Sequence, residues 1–264
     1  MKYRKFVFIL SVLFLITLSA CSNFDTFKDQ VELQSELYEW KNKYQALEEE
    51  KNNLLNHINE LSDQARKSNI YITTTLIDEY LWMENRTGGQ GSGFVFKKDE
   101  NYFYALTNFH VIDPKDADRV EYKITLNNGD TVAGTVILMG NEELDLAVIR
   151  FPIKNYELPL IPIDPNVKFS IGEFILVIGN PGGLQNVVST TEIEGYGKMI
   201  KDIDYDVIKF GYGMDAHGNS GGAVINLEGE LIGIITWQSG TDLSKKYALP
   251  TNLVYEFLKA NKII

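Results

Sequence analysis

At residue 69 the chain changes from one periodicity to another, and that break constrains the fold more than any other feature of the sequence. Residues 25–68 contain neither glycine nor proline. Within them Leu33, Leu37, Trp40, Tyr44, Leu47, Lys51, Leu54, Ile58, Leu61 and Ala65 step by alternating fours and threes. That spacing predicts one long helix with a heptad seam, leucine or tryptophan at d and mixed residues at a. Lys51 is the one charged seam residue; such a residue costs stability and can fix register. At about 1.5 Å per residue the seam makes a rod of roughly 50 Å. Two arrangements suit such a stripe, an amphipathic helix folded back onto the protein or a stalk that associates with its copies. The narrowness of the stripe favours the stalk.

From residue 69 onward the pattern is that of strands. Short runs rich in Val, Ile, Tyr and Phe occur at residues 71–74, 93–96, 102–107, 121–126, 131–138, 147–151, 174–178, 207–209, 223–226 and 231–236. Turn residues separate them, and Asn127-Asn128-Gly129-Asp130 is a good hairpin signal. One late helix is expected at 251–260, capped by Thr251 or Asn252, with Leu253, Phe257 and Leu258 on one face. So many short strands predict an all-β barrel or sandwich. No internal repeat or low-complexity tract interrupts it.

The N-terminus reads as an address. Lys2, Arg4 and Lys5 precede an apolar run at residues 6–18, broken only by Ser11 and Thr17. That run is shorter than the roughly 20 residues of a transmembrane helix and fits an export signal. It ends in Leu18-Ser19-Ala20-Cys21, where the chain's single cysteine stands. This resembles a bacterial lipobox, in which the cysteine is lipidated and becomes the mature N-terminus. An ordinary signal peptide with a stray thiol, or an uncleaved anchor, is the alternative. The expected organisation is a signal peptide over 1–20, a lipid-anchored coiled-coil stalk over 21–68 and a globular domain over 69–264. Its place is the bacterial cell envelope, facing the outside or the periplasm, held to the membrane through Cys21.

Charge and composition narrow the chemistry. Acids outnumber bases 36 to 25, giving a net charge of −11, or about −14 once residues 1–20 are removed. Nothing in such a balance neutralises phosphate, so nucleic acid is excluded as the main partner. One cysteine excludes an internal disulfide framework and a thiolate-rich zinc site, and only His57, His110 and His217 remain for a metal cluster. Neither a metal nor a cofactor is expected.

Three segments carry chemistry, and they occur in a telling order. Ala105-Leu106-Thr107-Asn108-Phe109-His110 is a strand that ends in a polar pair and then a histidine. Asp145-Leu146-Ala147-Val148-Ile149 is an acid that opens an apolar strand. His217-Gly218-Asn219-Ser220-Gly221-Gly222 is a glycine-flanked serine. A serine hydroxyl is a poor nucleophile at neutral pH and needs a base. His110 can supply that base, and Asp145 can hold its tautomer and stabilise the imidazolium. The glycines let the backbone turn so that the Gly218 and Ser220 N–H groups converge on an oxyanion. Singly, each residue has a bland use as a loop histidine, a strand-opening acid or a turn; together and in order they make a catalytic set.

With these residues the sequence resembles the trypsin-like serine proteases, most closely their bacterial HtrA/Deg branch. Gly91-Ser92-Gly93-Phe94-Val95 is similar to that branch's first strand, Thr107-Asn108-Phe109-His110-Val111 to its histidine segment and Asp145-Leu146-Ala147-Val148 to its aspartate segment. Gly179-Asn180-Pro181 resembles the turn opening its second barrel, Gly218-Asn219-Ser220-Gly221-Gly222 its nucleophile loop, and Ile232-Gly233-Ile234-Ile235-Thr236 the strand beside the substrate. The resemblance covers about residues 70–260. It implies two six-stranded β-barrels with the site in the cleft between them, His110 and Asp145 from the first, Ser220 and the oxyanion hole from the second. It also implies protein or peptide substrates and favours a trimer, whereas leucine at d with Lys51 at a would also suit a dimer.

There are departures. Ala216-His217-Gly218-Asn219-Ser220 stands where that branch usually reads Asn-Pro-Gly-Asn-Ser, and Ala223 replaces the usual proline after the glycines. Because the chain stops at Ile264, the PDZ domains common in that branch are not expected. In this fold the pocket for the residue before the cleaved bond is walled by two stretches, here Met214-Asp215-Ala216 and Thr236-Trp237-Gln238. Met214 stands where a basic-residue pocket needs a carboxylate, Asp215 lies one step along, and Gln238 narrows the slot. Small aliphatic residues are therefore the expected preference, and a broad one, since a methylene discriminates by only about 1–3 kcal/mol. The competing class is a non-catalytic, protease-like scaffold that binds peptides while the coiled coil does the main work. An intact His110, Asp145 and Ser220 argue against it.

Overall fold

The computed structural model describes residues 24–140, 144–198, 204–211, 218–238 and 245–264. The chain divides into two compact units, Met1–His57 and Ile58–Ile264. Helix α1 spans Phe24–Ser68 without a break, as suits a segment lacking glycine and proline. In the first unit its seam residues Leu33, Leu37, Trp40, Tyr44, Leu47 and Leu54 are exposed. In the second unit Leu61 and Ala65 are buried in one cluster with Leu231, Val254 and Leu258. The helix ends as the Ser68 hydroxyl donates to the Pro159 carbonyl at 2.5 Å.

The first sheet holds β1 (Asn69–Tyr80), β2 (Met83–Lys98), β3 (Tyr102–Thr107), β4 (Arg119–Thr125), β5 (Thr131–Ala133), β6 (Thr135–Met139) and β7 (Ala147–Pro152). Its order is β5-β4-β1-β2-β3-β7-β6. The two edge strands, β5 and β6, follow one another in the chain and are parted only by Gly134. The Gly134 N–H donates to Tyr122 O at 2.9 Å, and a Cβ there would meet Ile149 Cδ1 at 2.5 Å. The sheet turns at that point and curls into a half-barrel around Ile70, Ile72, Phe103, Ile124, Ile149 and Phe151. The closed first barrel expected from the resemblance is thus a seven-stranded half-barrel, and the strand expected over 131–138 is broken at its glycine.

The second sheet is a closed six-stranded barrel in the order β10-β13-β12-β11-β8-β9. Its strands are β8 (Phe174–Gly179), β9 (Val187–Gly197), β10 (Val207–Gly211), β11 (Ala223–Ile225), β12 (Leu231–Gln238) and β13 (Lys245–Pro250). Ile175, Val177, Ile208, Phe210, Val224 and Ile232 fill it. A third buried cluster joins the two sheets, drawing Phe94 and Leu106 from one, Ile178, Ala223 and Ile234 from the other. Short helix α2 (Phe109–Ile112) follows β3, and α3 (Thr251–Ala260) follows β13. The cap of α3 differs from expectation. Pro250, with φ −69°, occupies the N-cap and no side chain bonds there, because Thr251 is itself buried as the chain leaves β13.

Candidate active site

His110 is the second residue of α2, carried there by the chain leaving β3 through Thr107 and Asn108. Its backbone N–H donates to Asp145 Oδ1 at 3.0 Å. Its ring Nδ1 lies 3.0 Å from Oδ1 and 2.8 Å from Oδ2 of the same carboxylate. A carboxylate only accepts, so the Nδ1 proton sits between them and Nε2 keeps its lone pair in the neutral ring. The Asp145 side chain is 6% exposed and that of His110 50%, so a buried anion holds a half-exposed base.

Asp145 reaches this position in the left-handed region, with φ +49°, a conformation aspartate tolerates better than most residues. Asn108 Nδ2 donates to the Asp145 carbonyl at 2.8 Å and fixes that turn. The carboxylate takes a further donor from the other barrel, the hydroxyl of Thr236 on β12.

Ser220 sits in the turn before β11, partly exposed, between the buried Asn219 and Gly221. Two glycines make the turn possible. Gly218 has φ +94°, and a Cβ there would lie 2.3 Å from Asn180 O. Gly221 has φ +85°, and its Cβ would lie 2.1 Å from Ser92 O. The loop's carbonyls are tied down: Gly222 N–H donates to Asn219 O at 2.9 Å, Ser92 N–H to Ser220 O at 2.8 Å and the Ser92 hydroxyl to Gly218 O at 2.6 Å. Among the described residues no hydrogen bond joins His110 to Ser220, a contact that often tightens only with substrate bound. A cleft of about 160 Å³ beside His110 is bordered by Thr74, Leu76, Gly88, Gly89 and Val111. Among the described residues no cluster of three or more histidine, cysteine or acidic side chains could hold a metal ion.

The structure therefore brings His110 and Asp145 into contact and sets Ser220 and Gly218 in one glycine turn. Met214, Asp215, Ala216, His217 and Cys21 lie outside the described residues. Thr236, expected at the pocket wall, is buried and gives its hydroxyl to Asp145. Trp237 and Gln238 continue β12, paired with Tyr247 and Lys246, and Lys246 is a fully buried lysine. Ser92, Asn108 and Asn180 were not singled out for such roles by their sequence. The available signal was the Gly91-Ser92-Gly93 triplet in a strand, since strand glycines mark close backbone approach.

Comparison with known proteins bears on the family and the fold. Residues 91–234 match the family described as "Trypsin-like peptidase domain". A "Serine protease HtrA-like" of Staphylococcus aureus strain MSSA476 is 30% identical over 79% of this chain and 30% of its own length. Its counterpart in strain USA300 is 35% identical over 64% of this chain and 23% of its own length. The chain spans less than a third of these relatives. Among solved structures, the serine endoprotease from Yersinia pestis superposes with a TM-score of 0.59 at 29% identity, covering 76% of this chain and 65% of that one.

Proposed function

The chain belongs to the trypsin-like peptidase family, and from that premise we propose that it is an exported, membrane-anchored serine endopeptidase of the HtrA type. Its substrates are unfolded or exposed protein segments. The observation that carries this reading is the pairing of His110 Nδ1 with the buried Asp145 carboxylate at 2.8 Å. A surface histidine has no need of a buried, three-donor anion behind it; a general base does.

The reaction follows from the groups present. Ser220 Oγ attacks the scissile carbonyl while His110 Nε2 takes its proton, and Asp145 stabilises the imidazolium. The carbonyl oxygen becomes an oxyanion facing the Gly218 and Ser220 N–H groups. His110 then returns the proton to the leaving amine, and an acyl-Ser220 remains. Water, deprotonated by the same His110, releases it. The cleft beside His110 receives the chain on the leaving side. A fluorophosphonate probe tests this: it should label Ser220 in the full chain and not in Ser220→Ala. An unlabelled wild type under all conditions would support the non-catalytic scaffold instead.

Anchoring and assembly complete the reading. Acylated Cys21 holds the protein at the membrane, each buried CH₂ contributing about 0.8 kcal/mol. Cys21→Ala should release it or leave an unprocessed precursor; unchanged partition with normal processing refutes the anchor. The exposed seam of α1 associates in parallel, since all anchors lie at one membrane face, and the HtrA resemblance favours a trimer over a dimer. The specificity reading remains small aliphatic residues before the cleaved bond. A cleavage profile on casein dominated by Arg and Lys would reject it.

A further inference from the structure

One buried serine of the half-barrel holds the nucleophile turn from behind. Ser92 lies on β2 with no exposure. Its backbone N–H donates to Ser220 O at 2.8 Å, and its hydroxyl donates to Gly218 O at 2.6 Å. These carbonyls belong to the peptides 220–221 and 218–219. Between them lies the peptide 219–220, whose own carbonyl accepts from Gly222 N–H at 2.9 Å. In a trans peptide the N–H points opposite to the C=O. With Asn219 O tied to Gly222, the Ser220 N–H is turned to the other side, and the planes before and after it are both pinned by Ser92.

The hydroxyl of Ser92 is itself oriented. It accepts from Asn180 N and from Asn180 Nδ2, each at 2.9 Å, so its single proton is left for Gly218 O. Its carbonyl accepts from the Thr107 hydroxyl at 2.7 Å. Asn180 is in turn fixed: Oδ1 accepts from Asn69 Nδ2 at 3.0 Å and from Asn186 N at 2.9 Å, and Nδ2 also donates to Ile70 O at 3.0 Å. Asn69 is the first residue after α1. A buried line of hydrogen bonds thus runs Asn69, Asn180, Ser92, Gly218, from the exit of the helix to the nucleophile turn.

We propose that Ser92 is a positioning residue for the oxyanion site, holding the Gly218–Ser220 turn in the conformation that presents its N–H groups, and that Asn180 and Asn69 hold Ser92. This rests on the serine-peptidase reading. An alanine at 92 keeps the backbone bond to Ser220 O but frees the Gly218–Asn219 peptide to rotate. Transition-state binding then suffers while ground-state binding does not, because preorganised donors act on the oxyanion and not on the resting peptide.

The test compares the full chain with Ser92→Ala and Asn69→Ala. Removing an oxyanion donor outright costs about 10²–10³ in kcat, so releasing its support in Ser92→Ala should cost roughly 10- to 100-fold, with KM within about threefold. Affinity for a peptide aldehyde, whose adduct carries the oxyanion, should fall by a similar factor, while an uncleavable peptide binds as before. Asn69→Ala, two bonds further out, should lose roughly two- to fivefold in kcat and also serves if Ser92→Ala does not fold. Unchanged kcat in the folded variants overturns the proposal, as does an equal fall in aldehyde and plain-peptide affinity. If the wild type is unlabelled by fluorophosphonate, the peptidase reading has failed, and hydrogen exchange decides the inference separately. Protection of the Gly221 and Gly222 N–H groups should then drop at least tenfold in Ser92→Ala, and equal protection overturns it.

Discussion

Thr236, on β12 of the closed barrel, donates its hydroxyl to the carboxylate of Asp145, which precedes β7 of the half-barrel. The anion behind His110 is therefore held by both sheets. Thr236→Val keeps the shape and removes the donor. Hydrogen bonds to buried charges contribute about 1.5–3 kcal/mol, so kcat should fall by about tenfold or more with KM little changed. Steady-state kinetics on a peptide substrate checks this. A wild-type kcat in a folded Thr236→Val would show that the backbone N–H and Nδ1 of His110 suffice to hold the carboxylate.

The groups proposed to react allow a sharper expectation. Ser220→Ala deletes one oxygen and should leave the unfolding midpoint close to wild type. His110→Ala should cost turnover comparably, since members of a triad fail as a unit, by about 10⁶-fold in a well-studied serine protease. Retained peptidase activity in a purified Ser220→Ala would reject the mechanism outright.

Why some of this was legible in the sequence and some was not is a matter of range. The strand at 102–107 and the helix at 251–260 are written in local periodicity, and both stand where that pattern puts them. The strand Val187–Gly197 carries Ser189, Thr190, Thr191, Glu192 and Glu194 and lacks the apolar density that marks a strand; it forms because β8 and β10 flank it. Lys245 and Lys246 likewise hide β13. The pairing of His110 with Asp145 and the glycine turn at Ser220 could be expected from the sequence because those residue types are chemically demanding. The contact of Ser92 with Asn180 could not, because it exists only where residues 88 positions apart meet.

The heptad pattern shows the same ambiguity in one element. Leu37 and Leu61 are both seam residues by spacing, yet Leu37 is exposed and Leu61 is packed in the core cluster with Leu231 and Leu258. An apolar stripe does not say what will cover it. Leu61→Ala should therefore destabilise the Ile58–Ile264 unit by about 2–5 kcal/mol, read as a lower urea midpoint. Leu37→Ala should leave that midpoint unchanged and weaken self-association, read by sedimentation of the chain from Ser22 onward at micromolar concentration. A monomeric parent would remove the coiled-coil reading, and an unaffected midpoint in Leu61→Ala would remove the packing one.

Acid sensitivity should come in part from Asp99, in the turn between β2 and β3. Tyr104 Oη donates to its carboxylate at 2.5 Å, and the N–H groups of Asn101 and Tyr102 each donate at 2.8 Å. These bonds, the Tyr104 hydroxyl first among them, hold the Asp99 carboxyl below its ordinary value of 3.8. The folded state thus favours the ionised form, and the unfolded chain binds the proton more readily. The resulting stability is fully present above the ordinary aspartate value and is lost as pH falls through the lower, folded one. Asp99→Asn cannot ionise, so its unfolding free energy should fall less steeply than that of wild type over the acid range, from about pH 5 downward. Urea midpoints measured across that range decide the matter: parallel curves for the two proteins would mean that solvent, and not Tyr104, sets the acidity of Asp99.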